Sequence, residues 1–302
     1  MAVVFGVHTG PANTTAAELT ALWRRIEELP FGWISVWDHF YSAAAYSADA
    51  DSTTCFEGVA VHTALAMSTS RVRCGSLVYC AAYRHPAVLA NAVAAIDQFS
   101  GGRCEVGLGA GWHLGEYRAH GFDFPSAGRR LDLLAEYATV VRGLLTGEPF
   151  SFDGEFFHLE RAVCDPAPVR PMPLWIGGGG ERRTLRIVAE HADGWNVPLS
   201  PQDFAHKSDV LSGHCAAVGR DPSEVIRSVN VGVATDRASL DRQFGAIAEV
   251  VAPGVLLGPV GEMVDGIGRY VDAGAQQVNV AVRAPFELDA LEAIAEAISQ
   301  FN

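Results

Sequence analysis

Residues 35–41 read SVWDHFY, and within them Asp38 and His39 stand side by side where an apolar run stops. Histidine is the side chain whose charge changes nearest neutral pH, so His39 is a candidate to give or take a proton, with Asp38 orienting a ring or binding a polar ligand edge. A carboxylate and an imidazole at a strand end also cap turns or satisfy stray backbone groups. The pair alone does not separate these uses.

Two glycine-rich stretches follow apolar runs. Gly107 to Trp112 reads GLGAGW, which is not a dinucleotide fingerprint, because G-x-G-x-x-G requires glycine where Trp112 stands. Its glycines suit either a close approach of ligand to backbone or a tight turn. In WIGGGGERR, Gly177, Gly178, Gly179 and Gly180 run from a strand directly into a helix, so four free backbone N–H groups form an anion site that favours phosphate. The absent G-K-[ST] excludes a Walker A loop, and Arg182 and Arg183 also read as solvated helix residues. Four glycines lose much chain entropy without gaining packing, which favours phosphate binding over a hinge. CGSLVYC, residues 74–80, reads as an uninterrupted core strand.

These stretches need a scaffold that brings them to one place. Short apolar runs alternate with longer segments of helical period, the pattern of repeated βα units and a parallel sheet. Residues 3–8 read as a strand, Thr15 to Glu18 as a capping box, and Leu19, Leu22, Trp23, Ile26 and Leu29 as the apolar stripe of a helix. Further strands read at 33–37, 72–78, 104–109, 173–177, 194–197, 226–234 and 276–282. Helices read at 56–68, from Pro86 to the Gly101-Gly102 stop, and at 126–145, 181–191, 202–218, near 238–249, 261–273 and 287–300. A glycine-rich, partly aromatic loop runs from Gly109 to Pro125. After the fourth helix, PFSFDGEFFHL alternates around Asp153-Gly154 as a β-hairpin, part of an insertion at about 148–172.

Eight strands each followed by a helix favour an α/β fold of the (β/α)8 TIM barrel kind over an open doubly wound sheet, as one domain over residues 1–302. The active site of such a barrel lies at the C-terminal ends of the strands, where Asp38 and His39 leave the second.

Composition removes several functions. With 22 basic and 35 acidic residues the formal charge is −13, and no basic cluster stands out, so nucleic acid is not an expected partner. The six cysteines are scattered without C-x-x-C pairs or zinc spacing, which predicts small core residues and no metal. A metal-dependent hydrolase using Asp38, His39 and His8 lacks further ligands. MAVVFGVHTG carries no basic leader, and no stretch reaches the ~20 apolar residues of a membrane span, so a soluble cytoplasmic protein is expected.

Taken together, WDHF, TSRVRCGSLV, YRHPAVLANAVAAIDQFSGGR, GLGAGW with EY shortly after, FDFP, GEPFSFDGEFFHL, and PLWIGGGG with ADGWN resemble the luciferase-like monooxygenase superfamily across essentially the whole chain. Their order and spacing are most similar to the branch that uses the deazaflavin coenzyme F420, a hydride carrier. The resemblance implies a barrel of the bacterial luciferase-like type and a homodimer. It sets Asp38 and His39 against the deazaflavin ring, with His39 the acid or base. It also implies a bulge with a non-prolyl cis peptide at Leu77-Val78 behind the ring, and places Gly109, Ala110, Gly111, Trp112 and Gly177 to Gly180 along the phosphate-bearing tail. Two departures stand out. Trp112 occupies the position of an acidic residue in the family's sugar-phosphate dehydrogenases, so a second catalytic carboxylate is missing, and Ala43 replaces their tryptophan four residues beyond the histidine. The chain is not expected to be a glucose-6-phosphate dehydrogenase.

The expected reaction is hydride transfer between C5 of the deazaflavin and a carbon of a small organic substrate, an alcohol, ketone or activated alkene, with His39 moving the proton and Asp38 fixing geometry. Trp112, His113, Tyr117, Trp195, Asn196 and the segment Tyr41 to Tyr46 are candidates for the substrate mouth. The competing readings are an FMN-dependent monooxygenase using reduced flavin and oxygen, and a non-catalytic barrel that binds a flavin-like ligand.

Overall fold

The first βα unit forms as its residues dictate. β1 (Val4–Thr9) is apolar and almost wholly buried, and α1 (Ala16–Glu28) starts at a full capping box. Glu18 N–H donates to the Thr15 hydroxyl at 3.2 Å, and Thr15 N–H donates to the Glu18 carboxylate at 2.8 Å. Leu19, Leu22, Trp23 and Ile26 then bury one face of α1. The computed structural model describes residues 3–41, 54–244 and 248–301.

The chain continues through β2 (Trp33–Val36), α2 (Gly58–Ser68), β3 (Arg73–Ser76), β4 (Tyr79–Cys80), α3 (Pro86–Ser100), β5 (Cys104–Gly109), α4 (Leu114–Ala119) and α5 (Ala127–Leu144). Next come β6 (Phe150–Asp153), β7 (His158–Ala162), β8 (Leu174–Gly177), α6 (Thr184–His191), β9 (Gly194–Val197) and α7 (Pro201–Ala217). β10 (Ile226–Ala234), α8 (Arg237–Phe244), α9 (Ala248–Val251), β11 (Val255–Leu257), α10 (Val260–Asp272), β12 (Gln277–Val282) and α11 (Leu288–Ile298) complete it. Parallel pairing runs β1-β2-β3-β5-β8-β9-β10-β12 and returns from β12 to β1, closing a (β/α)8 TIM barrel. β6 and β7 form the expected hairpin, antiparallel and outside the barrel. Glu136 of α5 holds its turn by accepting from the N–H groups of Glu155, Phe156 and Phe157. No helix among the described residues is long and apolar enough to cross a membrane.

Four details differ from the sequence reading. The third strand is not continuous: it breaks between β3 and β4 at Leu77-Val78, whose peptide is cis. The loop after β5 contains α4, short because Gly121 follows it and aromatic residues crowd it. α6 begins at Thr184, three residues later than expected, because Glu181 to Arg183 form a turn first. β11 pairs with the outer end of β10, and its three residues are too few for an alternating pattern to be read.

Glycines on β5 and β8 make the break possible. An added Cβ on Gly107 would lie 2.1 Å from the Ser76 carbonyl oxygen, and one on Gly109 would lie 2.5 Å from the Val78 side chain. The bulge therefore occupies space that any other residue would fill.

Gly107→Ala should destabilise the protein by on the order of 3 kcal/mol, since its new methyl group meets backbone that cannot give way. Gly213→Ala, on open surface of α7, should be neutral or stabilising by up to about 1 kcal/mol. Urea unfolding of the two variants checks the contrast.

Candidate active site

A cavity of about 940 Å³ opens at the C-terminal ends of the strands. Asp38, His39, Leu77, Val78, residues 109–112, Gly177 and Gly178 all line it. Gly179 and Gly180 do not; Gly179 packs toward Lys207 and Val197, and Gly180 toward Thr184.

His39 follows β2 and its side chain is a quarter exposed. Its Nδ1 lies 2.8 Å from Oε2 of Glu116, the third residue of α4, whose side chain is completely buried. The hydroxyl of Tyr83 donates to the same oxygen at 2.7 Å. The N–H groups of Phe40 and Tyr41 donate to Oε1 at 2.8 and 3.1 Å. Burial alone would push this carboxyl up, but the bonds from His39, Tyr83 and the backbone outweigh it and hold Glu116 at about 2. An ionised carboxylate only accepts, so Nδ1 of His39 carries the proton and Nε2 is left for chemistry. Burial, together with the bond to Glu116, raises the Tyr83 phenol.

Asp38 lines the cavity, and its carboxylate is held by the protein. Its two oxygens lie 2.9 and 2.6 Å from the Nη groups of Arg84, and Cys80 N–H donates to Oδ2 at 2.9 Å. Arg84 also reaches Glu57, the N-cap of α2, at 2.7 Å. The bidentate pair and backbone bond leave Asp38 as an anchor that ties the end of β2 to the far side of the bulge. The pairing spans 46 positions of chain, beyond any local pattern.

His8 lines the cavity, with Nδ1 2.8 Å from the Ser35 hydroxyl. Burial, then the charges of Arg283 and His39, push it down to about 3, so it is neutral at ordinary pH. Asp38, His39 and His8 thus turn to Arg84, Glu116 and Ser35 and do not converge on an ion. No set of three metal-ligating residues occurs among the described residues.

The residues matching the description "luciferase-like monooxygenase" span 1–251, most of the chain. The protein belongs to the luciferase-like monooxygenase family. It is 31% identical over 157 residues to an F420-dependent hydroxymycolic acid dehydrogenase of Mycobacterium tuberculosis, covering 52% of this chain and 43% of that protein. It is 29% identical over 203 residues to an FMNH2-dependent dimethylsulfone monooxygenase of Pseudomonas putida, covering 62% and 54%. The solved F420-dependent secondary alcohol dehydrogenase in complex with an F420-acetone adduct superposes over 100% of both chains, with a TM-score of 0.90 at 19% identity.

Within this family member, the four-glycine turn differs from its sequence reading. It does not enter the helix directly, and not every N–H is free, because Gly178 donates to the Asn196 carbonyl at 3.1 Å. α6 has no side-chain cap at Arg183, and Thr184, its first residue, lines the cavity.

Of the candidate mouth residues, Trp112 and Asn196 reach the cavity. Tyr117 is buried under the Ala110 carbonyl and against Cys80, and Trp195 donates to the Gly178 carbonyl and stacks on Phe204, so both are packing residues. His113 caps α4. Ala43 and the segment beyond Tyr41 to Tyr46 lie outside the described residues.

Glu116 is the residue that sequence reasoning missed. It stands four residues beyond Trp112, and its carboxylate bonds His39 without lining the cavity, so the acid expected at the Trp112 position remains absent. The available signal was an acid among Tyr117, Phe122 and Phe124, three residues after a capping His113.

A carboxyl lowered on folding contributes stability that is complete above its unfolded value of roughly 4.3 and is lost as pH falls through about 2. The stability gap between wild type and Glu116→Gln should therefore shrink by on the order of 3 kcal/mol across that window. A gap independent of pH, measured by urea unfolding between pH 6 and 2.5, would contradict the burial of an ionised Glu116.

Proposed function

We propose that this protein is a coenzyme F420-dependent oxidoreductase that transfers a hydride between the deazaflavin and a small organic substrate. The observation that carries the reading is the imidazole of His39, fixed through Nδ1 by a buried anion and open to the cavity opposite the Leu77-Val78 bulge. A barrel that only bound a ligand would have no use for an ionised carboxylate held against one histidine.

The residues fit a flat, largely apolar ring. Leu77 and Val78 offer a platform that the glycines of β5 and β8 leave room for, and the cavity has the volume of a small-molecule site. Residues 109–112, Gly177, Gly178 and Thr184 would hold the phosphate-bearing tail. When bound, the coenzyme supplies a two-electron hydride acceptor or donor.

Nε2 of His39 takes the hydroxyl proton of an alcohol as the alcohol carbon gives up its hydride, and returns it to the carbonyl oxygen in the reverse direction. The Glu116 carboxylate fixes the ring and stabilises the imidazolium that forms. Trp37 and Trp112 set the ring's edges, with centroids 6.5 and 5.7 Å from that of His39. Motif order supports F420 over FMN, while the relatives include one F420-dependent dehydrogenase and one FMNH2-dependent monooxygenase.

Titrating the apoprotein with F420 and with FMN, following tryptophan fluorescence, should show F420 binding at least about tenfold tighter. His39→Asn should keep that affinity and lose roughly 100-fold or more in kcat with a secondary alcohol, the ordinary worth of a general acid-base group. Preferential FMN binding would move the chemistry to oxygen, and unchanged turnover in the variant would remove His39 from the mechanism.

A further inference from the structure

Most cations around the barrel mouth have a committed partner. Arg84 faces Asp38 and Glu57, Lys207 faces Glu181, and Arg183 faces Asp132. Arg130 donates to the carbonyls of Gly111 and Pro125. Arg283, which leaves β12 and lines the cavity, has no hydrogen bond and no carboxylate within 4 Å among the described residues.

Its surroundings make that isolation unfavourable. The guanidinium carbon lies 5.6 Å from the ring centroids of both Trp37 and Phe244, and Nε is buried with no acceptor. Neutral His8 lies tilted against Trp37, with ring centroids 5.5 Å apart. Two aromatic faces give a cation a weak partner, and a half-buried guanidinium with no protein acceptor among the described residues keeps its hydrogen-bonding capacity for a ligand. The carboxylates that line the cavity among the described residues, Asp38 and Asp203, are already engaged by Arg84 and by the Ser200 hydroxyl.

We infer that Arg283 is the binding site for a single carboxylate group of the substrate, so that the protein acts on a small hydroxy or oxo acid. This rests on the hydride-transfer reading and narrows its substrate class. The acid's carboxylate meets the guanidinium fork in two parallel N–H···O bonds, and its carbinol carbon lies toward His39, on the far side of Trp37. Val251, Val255 and Phe244, which line the same part of the cavity, accommodate the carbon chain between them. One cation in a protein of charge −13 suits one negative charge and disfavours a polyanion.

The test compares 4-hydroxypentanoate with 2-pentanol, the same secondary alcohol with and without a carboxylate. Thermal unfolding of the full chain is followed with each compound, with and without saturating F420, for wild type and Arg283→Met. The acid should stabilise wild type at concentrations at least about tenfold below those needed for the alcohol, and turn over with a correspondingly higher kcat/KM read from F420 absorbance. Arg283→Met should lose that preference.

Equal effects of acid and alcohol on wild type, or a preference that survives in Arg283→Met, would overturn the inference. So would loss of acid binding when F420 is present, since Arg283 would then serve the coenzyme's own acidic groups. If F420 does not bind but the acid still depends on Arg283, the carboxylate site stands and the coenzyme assignment fails.

Discussion

A carboxylate sealed from water, Glu116, organises the mouth of this barrel. It takes four donors at once: an imidazole, a phenol and two successive backbone N–H groups. Such a group is costly to bury alone and strongly favourable once every lone pair is used, so its donors hold one geometry or the site fails. Those donors come from the end of β2 and the loop before α3, and the acceptor comes from α4. One ionised side chain thereby fixes three connections that share no local sequence.

The second constraint is spatial. The chain bulges between β3 and β4 over the barrel's end, and β5 and β8 carry glycine where a side chain would collide with it. Asp38 then clamps the end of β2 to Cys80 beyond the bulge and to Arg84. Asn196 and Asn230, which line the cavity, bond with Ser228, Gln277 and Asn279 in one polar layer across β9, β10 and β12. The polar layer ties three strands together, the bulge fills the space the glycines leave, and His39 stands on a loop pinned by a buried charge.

The barrel was legible because its signals are periodic. Buried strands read as apolar runs, and Thr15, Pro86 and Gly101 mark helix ends with local chemistry. His39 was legible for the same reason: it stands at the end of such a run. The roles of its neighbours were not. Asp38 looks like a ligand-facing acid until Arg84, far along the chain, closes on it, and Glu116 looks like one acid in a loop until that loop folds as α4. Glycines 107, 109 and 177 carry no mark that separates room for a ligand from room for Val78; only the bulge decides it. Arg283 is unremarkable in sequence, and only the fold shows that it lines the cavity without a carboxylate partner among the described residues.

Proton transfer by His39 requires that Nε2 be the nitrogen left free of Glu116. Nitrogen-15 NMR of the imidazole, assigned by the resonances lost in His39→Asn, reads it directly. In the neutral ring, the proton should sit on Nδ1, in slow exchange behind the Glu116 carboxylate, with Nε2 bare. A neutral ring protonated at Nε2 would mean that Glu116 does not hold it as an ionised acceptor, and the proton-transfer role assigned to this pair would be wrong.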